Sequence, residues 1–230
     1  MKPKHIAIIM DGNRRWAKSN KCPVLKAYEK GLETLLNTVD NLIKLKIKYL
    51  TVFGFSTENW TRSKKEISFL IKLFDKFLDK AISETEFKDI KINFIGDLNV
   101  FGSQIKEKTS LLSNLTNKKK KLTLTVAVNY GGQQEILSAV KRYLIDCLNE
   151  NSKNLKNVKD FEKYLFNYDL PTIDLLIRTG GEKRLSNFML WHLAYTELIF
   201  LKQMWPDFNF NLLRNSVNEF ISRKRNFGGK

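Results

Sequence analysis

Short apolar runs of strand length alternate along this 230-residue chain with longer stretches of helical periodicity. That alternation constrains the fold more than any composition does. An uninterrupted apolar run of roughly four to eight residues, bounded by turn residues, reads as a strand buried on both faces. Strands of that kind joined by amphipathic helices make βα units, and such units build a parallel sheet. Ile6–Met10 is the first run, and Asp11-Gly12-Asn13 ends it as turn chemistry does. Lys48–Phe55, Lys91–Ile95, Leu122–Val128, Thr172–Ile177 and Glu197–Leu201 are the others. Helical spacing occupies Leu25–Leu45, Ser63–Thr85, Ser103–Leu115, Gln133–Leu148 and Leu212–Arg223. Phe161–Phe166 and Phe188–Ala194 read as short helices, and the polar piece from Trp16 to Pro23 as loop. With no internal repeat and no linker, the expectation is one α/β domain over residues 1–230. Its core is a mostly parallel six-stranded sheet flanked by helices.

Polar residues gather where three of these strands end. Asp11, Gly12, Asn13, Arg14, Arg15 and Trp16 follow the first strand. Ser56, Thr57, Glu58, Asn59, Trp60 and Arg62 follow the second, and Arg178, Thr179, Gly180, Gly181, Arg184, Leu185 and Ser186 follow the fifth. Right-handed crossovers bring all three ends to one edge of the sheet, and open α/β sheets bind ligands at that edge. A carboxylate beside glycine, asparagine and two fixed cations suits an anion and its metal. The same residues also fit an ordinary Asp-Gly turn followed by a solvated basic face. Ser56 and Thr57 fit helix caps, whereas Glu58, Asn59 and Arg62 exceed what capping requires.

The formal net charge of +16 favours polyanions, anionic lipid head groups or phosphorylated substrates. Nucleic acid is disfavoured, because the basic residues are scattered and no recognition motif gathers them. Cys22 and Cys147 have no metal-ligand spacing, and His5 and His192 are the only histidines, which excludes a Cys-His metal centre. The two thiols and the lack of a signal-like segment point to a reducing cytoplasm. The longest apolar stretch, Phe188–Leu201, is broken by His192, Thr196 and Glu197 and is too short to span a bilayer. In the helix beginning at Ser63, Ile67, Leu70, Ile71, Phe74, Phe77, Leu78, Ala81 and Ile82 make a broad stripe, widened by Phe69 and Leu73. A core helix, a dimer helix or one wall of an elongated apolar cavity would each need that pattern. Asp75 and Asp79 read as a solvated face pairing with Lys72, Lys76 and Lys80.

Six blocks in order resemble the cis-prenyltransferases, in particular the bacterial undecaprenyl diphosphate synthases. They are HIAIIMDGNRRWAK (5–18), FSTENWTR (55–62), INFIGD (92–97), NYGGQQEI (129–136), DLLIRTGGEKRLSNFMLWHLAYTEL (174–198) and MWPDF (204–208). The aspartate-rich helical clusters of the trans-prenyl synthases are missing. The resemblance implies a Mg²⁺-dependent enzyme that adds isopentenyl diphosphate repeatedly to an allylic diphosphate, typically farnesyl diphosphate, with each new double bond cis. It implies a homodimer working at the membrane surface, and a product that carries cell-wall sugars.

Residue by residue, the resemblance makes Asp11 the essential metal-holding aspartate, and Gly12, Asn13, Arg14, Arg15 and Trp16 the allylic diphosphate cradle. Ser56, Thr57, Glu58, Trp60 and Arg62 match the closing loop, and Asn59 the residue linked to proton removal. A neutral amide is a poor base, so a positioning role suits Asn59 better. Arg178, Arg184, Leu185 and Ser186 match the isopentenyl diphosphate site. Glu197 matches a second metal-linked carboxylate, reaching the site from a partner subunit. A growing polyprenyl chain needs a long dry tunnel, for which the 67–82 stripe and the strand around Val52-Phe53 are the wall. Between Trp16 and Gly31 the family carries an Arg and, four residues later, a His that support the diphosphate. Here those positions are Val24 and Tyr28. The basic tail from Arg225 resembles a family terminus that reaches a neighbouring site. The C-terminal helix and the 188–201 segment are the candidate dimer surfaces.

Overall fold

A computed structural model describes residues 1–83, 89–149, 155–166 and 169–224 of the chain. The tail from Arg225, and Thr85 at the expected end of the Ser63–Thr85 helix, lie outside the described residues. The sheet has six strands in the order β3-β4-β2-β1-β5-β6, and every neighbouring pair is parallel. The strands are β1 (His5–Ile9), β2 (Tyr49–Ser56), β3 (Ile90–Ile95), β4 (Leu122–Tyr130), β5 (Leu175–Arg178) and β6 (Glu197–Phe200). The helices are α1 (Asn13–Ser19), α2 (Val24–Lys44), α3 (Lys64–Ser83), α4 (Ser103–Thr116), α5 (Gly132–Leu148), α6 (Val158–Glu162) and α7 (Phe210–Ser222).

β1 is buried along its whole length, which is why its sequence is continuously apolar. Ile6 and Ile8 face a large core built with Leu35, Val39 and Leu42 of α2, Phe77 and Leu78 of α3, Leu112 of α4 and Val217 of α7. Ala7 and Ile9 face a second core with Tyr130, Phe188, Met189 and Leu193. Each fully buried Leu or Ile contributes about 1.5–3 kcal/mol. Register places Ile8 beside Val52 on one side and Ile177 on the other. The C-terminal ends of β2, β1 and β5 therefore lie side by side.

Four elements differ from the sequence expectation. The piece after Asn13 is helical, but only Ala17 of α1 is buried, so no apolar periodicity marks it. Residues 188–194 form successive turns instead of a helix. Ser186, Asn187 and Met189 have φ of 50°, 61° and 47°, a left-handed backbone that a right-handed helix cannot include. The short helix expected over 161–166 lies earlier, at Val158–Glu162, and the Asn157 side chain caps it. The fifth strand begins at Leu175 rather than Thr172; the Asp174 side chain takes the Lys4 and His5 N–H groups just before it. A further difference concerns Asp75 and Asp79: Lys108 of α4 reaches both, at 2.7 and 2.6 Å.

His5 sits at the other edge of the sheet. Its Nδ1 lies 2.7 Å from the Pro171 carbonyl and its Nε2 2.8 Å from the Thr51 hydroxyl. These partners fit the neutral tautomer with the proton on Nδ1. Burial, partly opposed by the Pro171 carbonyl and Asp174, lowers its pKa from 6.5 to about 4. In the window from 6.5 down to 4 the unfolded chain binds a proton that the folded chain does not. Stability should therefore fall as pH drops through that window, by up to about 3 kcal/mol. Thermal melts between pH 7 and 4 should show this slope, and His5→Asn should flatten it; an unchanged slope would assign the acid sensitivity elsewhere.

Candidate active site

The site is assembled around Asp11, one residue beyond Met10 at the end of β1. Its backbone N–H donates to the Thr179 hydroxyl oxygen at 3.0 Å, and that hydroxyl donates back to the Asp11 carbonyl at 2.7 Å. Trp205 N–H donates to the same carbonyl at 2.9 Å. The loops after β1 and β5 are thus tied before any side-chain charge is considered. The carboxylate then sits between two guanidinium groups, 3.2 Å from Arg15 Nη2 and 2.9 Å from Arg178 Nη2. Arg178 is the last residue of β5 and is buried. Its Nη1 donates to the Ser186 hydroxyl at 2.8 Å and to the Arg184 carbonyl. Arg15 Nη1 donates to the Gly180 carbonyl at 2.6 Å, and Glu182 joins Arg15 to Arg184.

Gly180 has to be glycine. Its φ is +85°, and a Cβ there would lie 2.7 Å from Arg15 Nη2 and 3.1 Å from the Asp11 backbone. Gly12, at φ +111°, approaches Met204 as closely. Trp16 donates its indole N–H to Asp207 at 2.7 Å, and Arg14 is exposed. Among the sequence candidates Leu185 is half-buried and packs on the smaller core.

The turn after β2 is joined to the same edge. Ser56 accepts from the Asn59 backbone, while Ser56 N–H donates to Asn59 Oδ1 at 3.1 Å. Asn59 is therefore a cap, and the sequence expectation that it exceeds capping is corrected. Trp60 donates to Asn129 Oδ1 at 2.8 Å. Asn187, missed in the sequence, carries the junction. Its amide donates to Glu58 and Gln134 at 3.0 Å each. Its carbonyl and Oδ1 accept from the first N–H groups of α5. Glu182 was missed as well, and Thr179 stood among the polar residues at the strand end without the loop-tying role it has here.

Glu197 is not part of this cluster. It opens β6, level with Leu175 and hence with Ile6, at the edge of the sheet opposite Asp11. Its carboxylate accepts from Arg223 at 2.7 Å. Among the described residues no group of three or more His, Cys, Asp or Glu could hold a metal by itself.

Next to Asp11 an apolar cavity of about 140 Å³ opens between the sheet and α2–α3. Gly54, Phe55, Val126 and Val128 line its sheet side, Gly31, Leu32 and Leu35 its α2 side, and Leu70, Ile71, Phe74 and Phe77 its α3 side. Met10 and Gly31 belong to its wall, and a Cβ on Gly31 would touch Asn13. The cavity and the Asp11 loop are thus continuous. A larger cavity of about 680 Å³ lies around His5, Asp174 and His192, at the opposite edge.

Residues 9–228 match the family described as putative undecaprenyl diphosphate synthase. The chain belongs to the cis-prenyltransferases. An isoprenyl transferase of Thermotoga maritima is 41% identical over 99% of this chain and 97% of its own. A (2E,6E)-farnesyl-diphosphate-specific ditrans,polycis-undecaprenyl-diphosphate synthase of Micrococcus luteus is 40% identical, covering 99% and 92%. Lavandulyl diphosphate synthase of Lavandula x intermedia, solved with dimethylallyl diphosphate, superposes with a TM-score of 0.93 at 31% identity, each chain covered to 99%. A probable undecaprenyl diphosphate synthase of Campylobacter jejuni gives 0.81 at 32%, both chains fully covered. The enzyme is a prenyltransferase, and the apolar cavity beside an arginine-rich edge is what such chemistry requires.

Asn187→Gly keeps the left-handed backbone available and removes the side-chain bonds. It should lower kcat/KM about 10-fold while the protein still melts cooperatively. Unchanged kinetics would show that the Glu58 link carries no functional weight.

Proposed function

We propose that this prenyltransferase condenses isopentenyl diphosphate repeatedly onto an allylic diphosphate, with farnesyl diphosphate as starter and undecaprenyl diphosphate as product. One observation carries the reading: the arginine-bearing strand ends meet the mouth of the apolar cavity through Met10 and Gly31. A molecule with a diphosphate head and a hydrocarbon tail fits both parts at once.

Arg178, Arg184 and Ser186 form one anion subsite, already joined by hydrogen bonds through Arg178. Gly12–Arg15 form the other, with Trp16 at its edge. Asp11 touches Arg15 and Arg178 together, which supports a carboxylate lying between the two diphosphates. Electron flow runs from the isopentenyl double bond to the allylic carbon as its C–O bond breaks, and the proton lost from the new unit passes to the departing pyrophosphate. Arginines aimed at the departing pyrophosphate stabilise the charge it develops. Asn59, whose oxygen accepts from Ser56, shapes the turn and does not serve as the base. Each methylene drawn into the cavity adds about 0.8 kcal/mol, or roughly 3–4 kcal/mol per isoprene unit. That gain pulls the chain inward while the head stays at the mouth.

A single partly exposed carboxylate beside two arginines does not build a cage. It suits Mg²⁺, which keeps waters and shares itself with phosphate oxygens. Asp11 would hold the ion together with a substrate diphosphate, and the ion would supply charge neutralisation to the leaving group.

A homodimer belongs to the same reading. The apolar faces of α7 and of residues 188–193 are used inside the chain, by Leu213, Val217, Phe220, Phe188 and Leu193. Leu137, Val140, Leu144 and Leu148 instead form an exposed stripe on α5. Such a stripe matches a second copy of itself. Glu197 would reach a metal only in that assembly.

Incubation with Mg²⁺, farnesyl diphosphate and radiolabelled isopentenyl diphosphate, followed by sizing of the products, tests the reaction. Wild type should form long-chain product and Asp11→Ala should lose at least about 10²–10³-fold in rate, with a cooperative melt retained. No incorporation by wild type would sink the proposal. For the dimer, Leu144→Asp should shift the sedimenting species from two chains to one; an unaltered species would move the interface off α5.

A further inference from the structure

Tyr28 stands at the mouth of the apolar cavity, on the same face of α2 as Gly31. Its hydroxyl donates to Glu66 Oε1 at 2.6 Å and accepts from Arg62 Nη1 at 2.8 Å. Arg62 Nη1 also lies 3.3 Å from the same Glu66 oxygen. Three elements meet at this phenol oxygen. Arg62 closes the turn after β2, with its N–H on the Asn59 carbonyl, and Glu66 lies in the first turn of α3. The Arg62 and Glu66 side chains keep only 27% and 13% of their exposure, so water competes weakly for these bonds. Burial first, and then the Glu66 bond, push the phenol well above its ordinary pKa, so it stays a neutral donor.

An arginine is a floppy cation unless something fixes its plane. Here one nitrogen is fixed by the phenol and the carboxylate. Among the described residues no hydrogen bond engages Nε or Nη2. Arg14 acts electrostatically on Tyr28 as well, so the allylic-side cations crowd this corner. Neither Val24 nor a phenol locked to Glu66 supplies a cation on this stretch of α2.

We infer that Tyr28 is a positioning residue for the allylic diphosphate: with Glu66 as its anchor, it holds Arg62 aimed at the head group of a chain lying in the cavity. The inference rests on the proposed reaction. It replaces a direct phosphate contact from α2 by an indirect one through the β2 turn. Loss of the hydroxyl leaves Arg62 charged but unguided, so ground-state binding of the allylic substrate suffers and the chemical step does not.

The experiment is steady-state kinetics with farnesyl diphosphate and isopentenyl diphosphate for wild type, Tyr28→Phe, Arg62→Ala and the double variant. Tyr28→Phe should raise the KM for farnesyl diphosphate about 10-fold, with kcat and the isopentenyl diphosphate KM within about twofold. In the Arg62→Ala background it should add less than about twofold, because the two act as one unit. Glu66→Ala, which removes the anchor from the other side, should reproduce the KM effect, and it decides the matter if Tyr28→Phe folds poorly. An unmoved farnesyl KM, a fall in kcat at constant KM, or full additivity with Arg62→Ala overturns the inference while leaving the reaction standing. A wild type that turns over nothing overturns both.

Discussion

The structure depends on one ion pair, Asp11 with Arg178. Arg178 ends a strand buried on both faces, and its guanidinium has little access to water. A charge in that position needs a partner, and removing the partner of a buried charge costs about 3–5 kcal/mol. Asp11 is that partner, and it is shared with Arg15. The local balance stays positive, since Arg14, Arg15, Arg178 and Arg184 outnumber Asp11 and Glu182. Two polar atoms in the same loops, Arg178 Nε and Asn13 Oδ1, are buried without a hydrogen-bond partner. A folded chain tolerates such atoms where function requires them. Arg178 Nε is a donor and could be satisfied by an anion, whereas Asn13 Oδ1 is an acceptor and would need an N–H or a cation.

Sheet topology explains why these groups meet. β1 lies between β2 and β5, although some 120 residues separate the latter two in sequence. The chain runs outward from β1 on one side through β2 to β3, inserts β4, and then crosses to β5 on the other side. Crossing over β1 leaves a crevice at its C-terminal end, where neighbouring loops diverge. Asp11 occupies that crevice. Thr179 closes its floor by bonding the Asp11 backbone in both directions, so the loops after β1 and β5 cannot drift apart independently.

β1 was legible because a strand buried on both faces must be apolar throughout. The strands that carry polar residues, such as β3 and β4, were legible from β-branched and aromatic residues between turn signals. The site was legible as three polar strand ends, because polar residues at those places have no core role. What could not be read lacked a periodic signature. α1 buries one residue, so it looks like loop. Phe188–Ala194 is apolar enough to suggest a helix, but the left-handed backbone at Ser186, Asn187 and Met189 is invisible in side-chain identity. Glu197 was expected to reach a site from a partner subunit, and register shows that within one chain its strand starts where Asp11's strand also starts. For Asn59 the motif suggested a positioning role, and the folded turn uses its amide to close a capping box.

The broad stripe of α3 shows how a pattern can be visible while its use stays open. A helix lying on a sheet buries a narrow stripe, and here only Phe77, Leu78 and Ala81 are buried. Leu70, Ile71, Leu73 and Phe74 are half-buried and face the cavity instead. Side chains that line a cavity forfeit some of the contacts a packed core would give them. Polar residues would draw water into that space, whereas the apolar lining keeps it dry. The sequence keeps these positions apolar although they are not fully packed. Packing therefore explains the C-terminal turns of α3, and the cavity explains the rest of its stripe.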